Sequence, residues 1–418
     1  MKKAVAILLS ISMLLGLTGC RKDTPGIGKD LMEGIPERVV CVNADMEAGA
    51  AASADFGVRL FQKVLADGEN TLISPQSVLL ALSMTANGAN GATREEMEQV
   101  LGMDPVTANT FLLAWQDSLP ESKTGSLTLV NGIWFRDANH FTPDRDFLEC
   151  NANYYQADIY KAAFDEETRK AMNDWVSDRT GGRIPEILDK ISPESILYLV
   201  NALAFDGVWE EIYREDQVRS GTFTREDGSA ESVEMMRSTE TEYLEDSLAT
   251  GFVKYYEGRD YAFVALLPKE GVSVSDYVRS MNGQDLRELL ARRERVEVCA
   301  AMPKFEVTGK AELKEALMEL GMQTAFDNAA ADFSRMGTLR GEGLNLYISR
   351  VLHDTYLAVD ERGTKAGAAT AVEVENGGAA TVNTDIKYVT LDRPFVFLLA
   401  DTQNWIPFFL GTVMTVEG

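Results

Sequence analysis

Histidine is almost absent from this chain of 418 residues, which holds only His140 and His353. A hydrolase with a histidine base has little to work with. No GxSxG elbow, HExxH helix, Walker loop or EF-hand loop occurs either. His353 lies in an apolar strand-like run, where a structural role is expected, with hydrogen bonds to polar groups such as Asn201. A Ser-His-Asp enzyme using His353 is the enzymatic alternative. The reading is of a protein that is not an enzyme and uses no metal or cofactor. Cysteine is sparse as well, with four residues. Beyond Cys20, the remaining Cys41, Cys150 and Cys299 are odd in number and far apart. That excludes a visible disulfide framework or metal-ligand spacing. Cys299 stands in an alternating apolar run and is expected to be buried. Positive charge is also in short supply. Lys and Arg total 40 against 65 Asp and Glu, a net charge of -25. Such a body repels nucleic acid and anionic head groups, so no nucleic-acid partner is expected.

The N-terminus follows a different pattern. Lys2 and Lys3 precede an apolar run, Ala4 to Leu15, too short to span a bilayer and suited to the core of a secretory signal. Leu17-Thr18-Gly19-Cys20 then resembles the lipobox of bacterial lipoproteins. That resemblance implies cleavage before Cys20, lipidation of its thiol and attachment to a membrane. A plain secretory signal is the alternative. Residues 1–19 are read as a lipoprotein signal peptide and 20–50 as a linker after lipidated Cys20. Residues 51–418 form a single domain. The expected location is extracytoplasmic, either lipid-anchored to the bacterial cell membrane or surface, or secreted.

Within the domain, Ser53 to Leu65 sets Phe56, Leu60, Phe61 and Val64 on one face and predicts the first helix. Ser74 followed by Pro75 suits an N-cap and first helical position. Thr93 and Glu96 have the spacing of a capping box. Leu127 to Phe135 alternates like a strand. Ala171 to Leu188 reads as a helix ending at a glycine pair. Ile196 to Trp209 begins as a nearly continuous apolar run, as in a strand buried on both faces. Leu313, Leu317 and Leu320 share a helical face capped by Gly321.

The most informative stretch is Asp360 to Glu375, DERGTKAGAATAVEVE. From Thr364 the alternate positions separate. Thr364, Ala366, Ala368, Thr370, Val372 and Val374 are small or β-branched. Lys365, Gly367, Ala369, Ala371, Glu373 and Glu375 carry all the charge. A strand with these residues has one small dry face and one wet face. Yet Asn376, Gly377, Gly378, Ala379 and Ala380 follow, a run that favours an exposed loop. The segment is suited to two states, loop and strand.

Glu361, Gly363 and Thr364, the small residues after them and RPFVFLLAD (Arg393 to Asp401) resemble the hinge and reactive loop of the serpins. Asn70 to Gly102 is similar to a further serpin signature, and the likeness runs from about Ser53 to Val416. It implies an α+β fold of three β-sheets surrounded by about eight or nine helices, with an exposed reactive-centre loop at about 361–390. It implies a monomer that inhibits serine-type endopeptidases as a suicide substrate. The protease cleaves the loop and stays as a covalent acyl-enzyme while the loop inserts into the main sheet. A cysteine protease is the alternative target. The resemblance assigns Ser74, Ser77, Asn201 and His353 to the shutter beneath that sheet and Trp209 to the breach where insertion begins. The hinge comprises Glu361, Gly363, Thr364, Ala366, Ala368 and Thr370, with Thr364 expected to be the first side chain to enter the sheet.

Three residues depart from the family pattern. Asp354 stands where Lys is frequent and Lys365 where Glu is usual. Gly367 replaces a usual Ala, weakening a strand by roughly 0.5–1 kcal/mol. Neither Lys365 nor Gly367 blocks insertion. The alternative function is that of a non-inhibitory serpin: a carrier, chaperone or surface structural protein. Counting along the loop as the family directs puts the reactive bond at Gly377-Gly378. Gly363 and Pro394 are further apart than usual, so Glu375, Ala379, Ala380 and Val382 also remain candidates. Ala366 to Ile386 contains no Lys, Arg, Phe, Tyr or Trp. Trypsin-like and chymotrypsin-like pockets find no residue to bind there, whereas small elastase-like or subtilisin-like pockets accept Ala or Val. For the N-terminus, metabolic labelling with a fatty acid is expected to tag the protein, and Cys20→Ala to abolish the tag. Labelling that survives the substitution would rule out this lipidation site.

Overall fold

The computed structural model describes residues 25–36, 38, 40–120, 125–137, 141–192, 195–339, 345–365 and 385–416. Cys20, His140, Ala366, Ala368 and Thr370 lie outside the described residues, as do the reactive-bond candidates Glu375, Gly377, Gly378, Ala379, Ala380 and Val382.

Seven strands build the main sheet: β1 (Lys29–Asp30), β2 (Gly125–Arg136), β3 (Asp158–Ala162), β4 (Leu197–Val208), β5 (Phe305–Glu312), β6 (Arg350–Val359) and β7 (Gly363–Lys365). Their spatial order is β1-β3-β2-β4-β7-β6-β5. The apolar run predicted as a two-faced strand is β4. Leu197, Leu199, Leu203 and Phe205 join the central core. Tyr198, Val200 and Ala202 pack on the opposite side, with Met172, Trp175 and Val176 of the helix Glu166–Arg179. This double burial accounts for the near absence of polar residues in β4.

A nine-stranded sheet lies across the core, and a two-stranded sheet pairs Thr142–Pro143 with Gly337–Thr338. The buried strands Tyr261–Pro268, Phe395–Asp401 and Pro407–Val413 are neighbours in the nine-stranded sheet. With nine α-helices among the described residues, the architecture is the expected α+β arrangement of three sheets. No helix of the described residues is long and apolar enough to cross a membrane. Beneath the main sheet runs the helix Pro75–Ala86, buried along its whole length. Ser74 caps it by accepting from the Ser77 N–H at 3.3 Å, with Pro75 at its first position.

Four local expectations are corrected. The first helix is Met46–Val64, starting well before Ser53 and capped by Asp45, whose carboxylate accepts from Ala48 N at 3.0 Å. Its alanine-rich opening has no apolar periodicity, but alanine is the strongest helix former. Thr93 and Glu96 form no capping box. Their helix, Gly91–Leu101, begins at Asn90 without a side-chain cap. Glu96 instead accepts from Gln323 N at 2.8 Å and Thr324 N at 2.7 Å, while Thr93 accepts from Asp332 N at 2.9 Å. Local spacing cannot reveal so distant a partner. Cys299 is half-exposed, because Val298 and Ala300 take the inward positions of its strand. Cys41, Cys150 and Cys299 are all free thiols.

The fourth correction concerns the segment expected as a linker, part of which is built into the fold. β1 pairs antiparallel with β3, and Leu31 N donates to Ile159 O at 2.8 Å. Trp134 Nε1 donates to Ile27 O at 3.2 Å, and Leu31, Met32 and Ile35 pack on the core. Gly28 makes the close approach possible. Its φ is +98°, and a Cβ there would stand 2.5 Å from Lys161 O. Gly34 has a similar φ of +77° with nothing within 4 Å. Both Gly→Ala variants carry the left-handed strain of roughly 1–2 kcal/mol. Gly28→Ala should cost about 1–3 kcal/mol more for the collision. Urea midpoints of the two variants test this, and equal midpoints would return the segment to a linker.

Candidate functional site

β4 and β6 are parallel neighbours over six residue pairs, from Tyr198↔Arg350 to Leu203↔Thr355. Beyond these pairs β7 lies between them, antiparallel to both. Gly363 and Thr364 pair with Val208 and Gly207, while Thr364 and Lys365 pair with Val359 and Ala358. The chain reaches this position by a tight turn after β6. Asp360 accepts through Oδ1 from Arg362 N at 2.8 Å and Gly363 N at 3.2 Å, and its own N–H donates to Gly363 O at 3.0 Å. Gly363 permits the approach of β7 to β4, since a Cβ there would stand 1.9 Å from Gly207 O, while Gly207 leaves room for the Tyr256 ring, which a Cβ would meet at 2.6 Å.

Thr364 is already seated. It is 1% exposed, and its hydroxyl hydrogen-bonds the hydroxyl of Tyr256. Burial pushes the Tyr256 phenol far above its ordinary range. The expectation that Thr364 has still to enter the sheet is therefore corrected, because the hinge begins inside it. Trp209 stacks on Tyr256 with centroids 4.4 Å apart and donates through Nε1 to Asp360 O at 2.9 Å. Glu361 pairs with Lys304 at 2.9 Å, and this hydrogen bond holds its carboxyl below the usual range.

The expected shutter residues gather at the level of the parallel pairing. The register sets His353 beside Asn201 and Asn201 beside Asn131. Their hydrogen bonds differ from the expectation. Asn201 Nδ2 donates to Asn131 Oδ1 at 2.5 Å, while His353 Nε2 accepts from Ser74 N at 2.9 Å. The imidazole reaches the N-cap amide of the buried helix, where an N–H lacks an intrahelical acceptor. An accepting Nε2 puts the neutral ring's proton on Nδ1. That atom, Asn201 Oδ1 and Ser77 Oγ have no hydrogen-bond partner among the described residues. Burial pushes the His353 pKa down to about 4. On the opposite face of β6, burial pushes the Asp354 carboxyl up to about 6 against the pull of Lys310.

Sequence reading missed Tyr256, Tyr213 and the buried pair Lys254–Glu240. The one available signal was a lysine inside the apolar strand Ala249–Tyr255.

The sequence profile of the serpin (serine protease inhibitor) family matches residues 51–416. This chain belongs to the serpin family. An uncharacterized serpin-like protein of Thermococcus kodakarensis is 29% identical over 86% of this chain and 84% of its own length. Leukocyte elastase inhibitor A of Mus musculus is 29% identical over 88% of this chain and 99% of its own. The native-state structure of the thermophilic serpin tengpin is 42% identical, with a TM-score of 0.87, covering 93% of this chain and 99% of that one. The three-sheet fold described above is thus that of a serpin.

The adjacent His353 and Asp354 make opposite contributions as pH falls. The unfolded imidazole takes its proton near pH 6.5 and the native one only near 4, so stability is lost across that window. The native Asp354 carboxyl protonates near pH 6 and the unfolded one near 3.8, so stability is gained over nearly the same range. Asp354→Asn removes the gain. Between pH 6.5 and 4 the variant should lose on the order of 2–3 kcal/mol more than the parent. Urea titrations across that range measure it, and parallel curves would show that Asp354 is solvated in solution.

Proposed function

We propose that this serpin is not a catalyst but an inhibitor that traps serine endopeptidases as a suicide substrate, with elastase-like or subtilisin-like enzymes as targets. The observation that carries the proposal is β7, three residues of hinge seated between two strands that pair directly below it. Extending its register two residues at a time would set Ala366 against Phe205 and Leu357, and Ala368 against Leu203 and Thr355. Thr370 would come level with Asn201 and His353. Small side chains would enter the crowded interior positions. The next threonine would arrive where Asn201 Oδ1 and His353 Nδ1 have no partner among the described residues. The inserted strand would exchange one parallel contact for two antiparallel ones, the more stable arrangement per residue.

The target class rests on the absence of cationic and aromatic residues from Ala366 to Ile386. The likeness to an elastase inhibitor supports it. We further propose a monomer held outside the cell by lipidated Cys20.

The test is incubation with an elastase-like protease. An SDS-stable covalent complex should form, far faster than with trypsin. Thr364 is seated in the native fold, so a deeper position tests insertion alone. Ala368→Arg would carry an unpaired charge into a dry space at a cost of several kcal/mol. Its insertion should lag behind deacylation, leaving the loop cut and the protease free. If the parent itself is cut without a stable complex, the protein is a non-inhibitory serpin.

A further inference from the structure

The turn that feeds β7 has all four of its carbonyls engaged. Asp360 O accepts from Trp209 Nε1 at 2.9 Å, Glu361 O from Tyr213 N at 2.8 Å and Arg362 O from Trp209 N at 2.9 Å. Gly363 O accepts from Asp360 N at 3.0 Å. Three of the four donors therefore belong to Trp209 and Tyr213. These two residues close over a single buried cation. Lys254 Nζ lies 5.4 Å from the Trp209 ring centroid and 4.5 Å from that of Tyr213, and its side chain is 2% exposed. Its counter-ion is Glu240, at 2.8 Å. Glu240 also accepts from Ser238 Oγ at 2.6 Å, and that hydroxyl lies 3.3 Å from the Tyr213 hydroxyl.

The result is a closed circuit from Lys254 through Glu240, Ser238 and Tyr213 back to the cation. A charge enclosed by two ring faces and one carboxylate fixes the rings' separation and tilt, because moving either ring exposes it to less favourable surroundings. The rings' own residues hold the turn. We infer that Lys254 and Glu240 are hinge-positioning residues: the buried ion pair sets Trp209 and Tyr213 so that the Asp360–Gly363 turn stays docked and Thr364 stays seated between β4 and β6. In the inhibitory reading, on which its functional consequence rests, this determines whether insertion starts from a seated hinge or a free one.

The position of the hinge can be read without any inhibited protease. The peptide bond after Arg362 is held in the docked turn, its carbonyl bonded to Trp209 N. Dilute trypsin, with fragments identified by mass, reports release at that bond. The parent should resist. Lys254→Met should be cut after Arg362 at least tenfold faster. Leu60→Ala, a core cavity in the first helix, serves as a control for general loss of stability and should not open this bond. The double variant Lys254→Met with Glu240→Gln leaves no unpaired buried charge. It should recover thermal midpoint relative to the single variant and still be cut rapidly. Glu240→Gln carries the same comparison if Lys254→Met does not fold.

Cleavage of Lys254→Met or Glu240→Gln no faster than Leu60→Ala would overturn the assignment. So would a double variant whose resistance returns with its midpoint. In the inhibition assay the same variants should need severalfold more inhibitor per protease trapped. A parent that traps no protease would count against the inhibitory reading alone, because the trypsin measurement would still decide the positioning role.

Discussion

The contact on which this structure turns is the parallel pairing of β4 with β6. Six residue pairs join two strands buried among side chains on both faces, and the same two strands part around Gly363 to Lys365. In the proposed insertion each neighbouring strand would exchange this parallel contact for an antiparallel one. Other features of the site bear on this contact. The buried helix Pro75–Ala86 meets it from below through Ser74 and His353, the Asp360 turn feeds it, and Gly363 allows the close approach of β7.

The polar groups around this seam differ in how well they are satisfied. At the turn, four consecutive carbonyls all have donors. At the level of the expected shutter residues, buried atoms of Ser77, Asn201 and His353 have no hydrogen-bond partner among the described residues. Burying an unpaired polar atom costs free energy, and pairing it returns that cost. The satisfied end holds the hinge, whereas the unsatisfied level would gain from a new polar neighbour. This contrast would give a physical direction to the proposed strand insertion.

His353 and Asp354 illustrate how a neutral histidine and a carboxylate can be adjacent in sequence but electrostatically separate. Successive residues of β6 face opposite sides of the sheet. Each is desolvated by a different part of the core, in opposite senses for stability. An aspartate where the family often carries lysine thus offsets the acid sensitivity of its neighbour.

The sequence by itself determined the two-faced apolar run of β4 and the cap at Ser74, because each is written within a few consecutive residues. The family likeness suggested which residues would form the shutter and the breach. Only the tertiary structure decided which atoms they bond. His353 bonds Ser74 rather than Asn201, and Thr364 is seated against Tyr256, because those partners come from distant segments. The docking of Ile27 to Ile35 on the sheet edge and the enclosure of Lys254 by Trp209 and Tyr213 were illegible for the same reason. A strand's side-chain alternation is a local property, readable at a period of two. The partner of a buried polar atom is set by the register between strands and by how distant segments pack, and no local pattern encodes either.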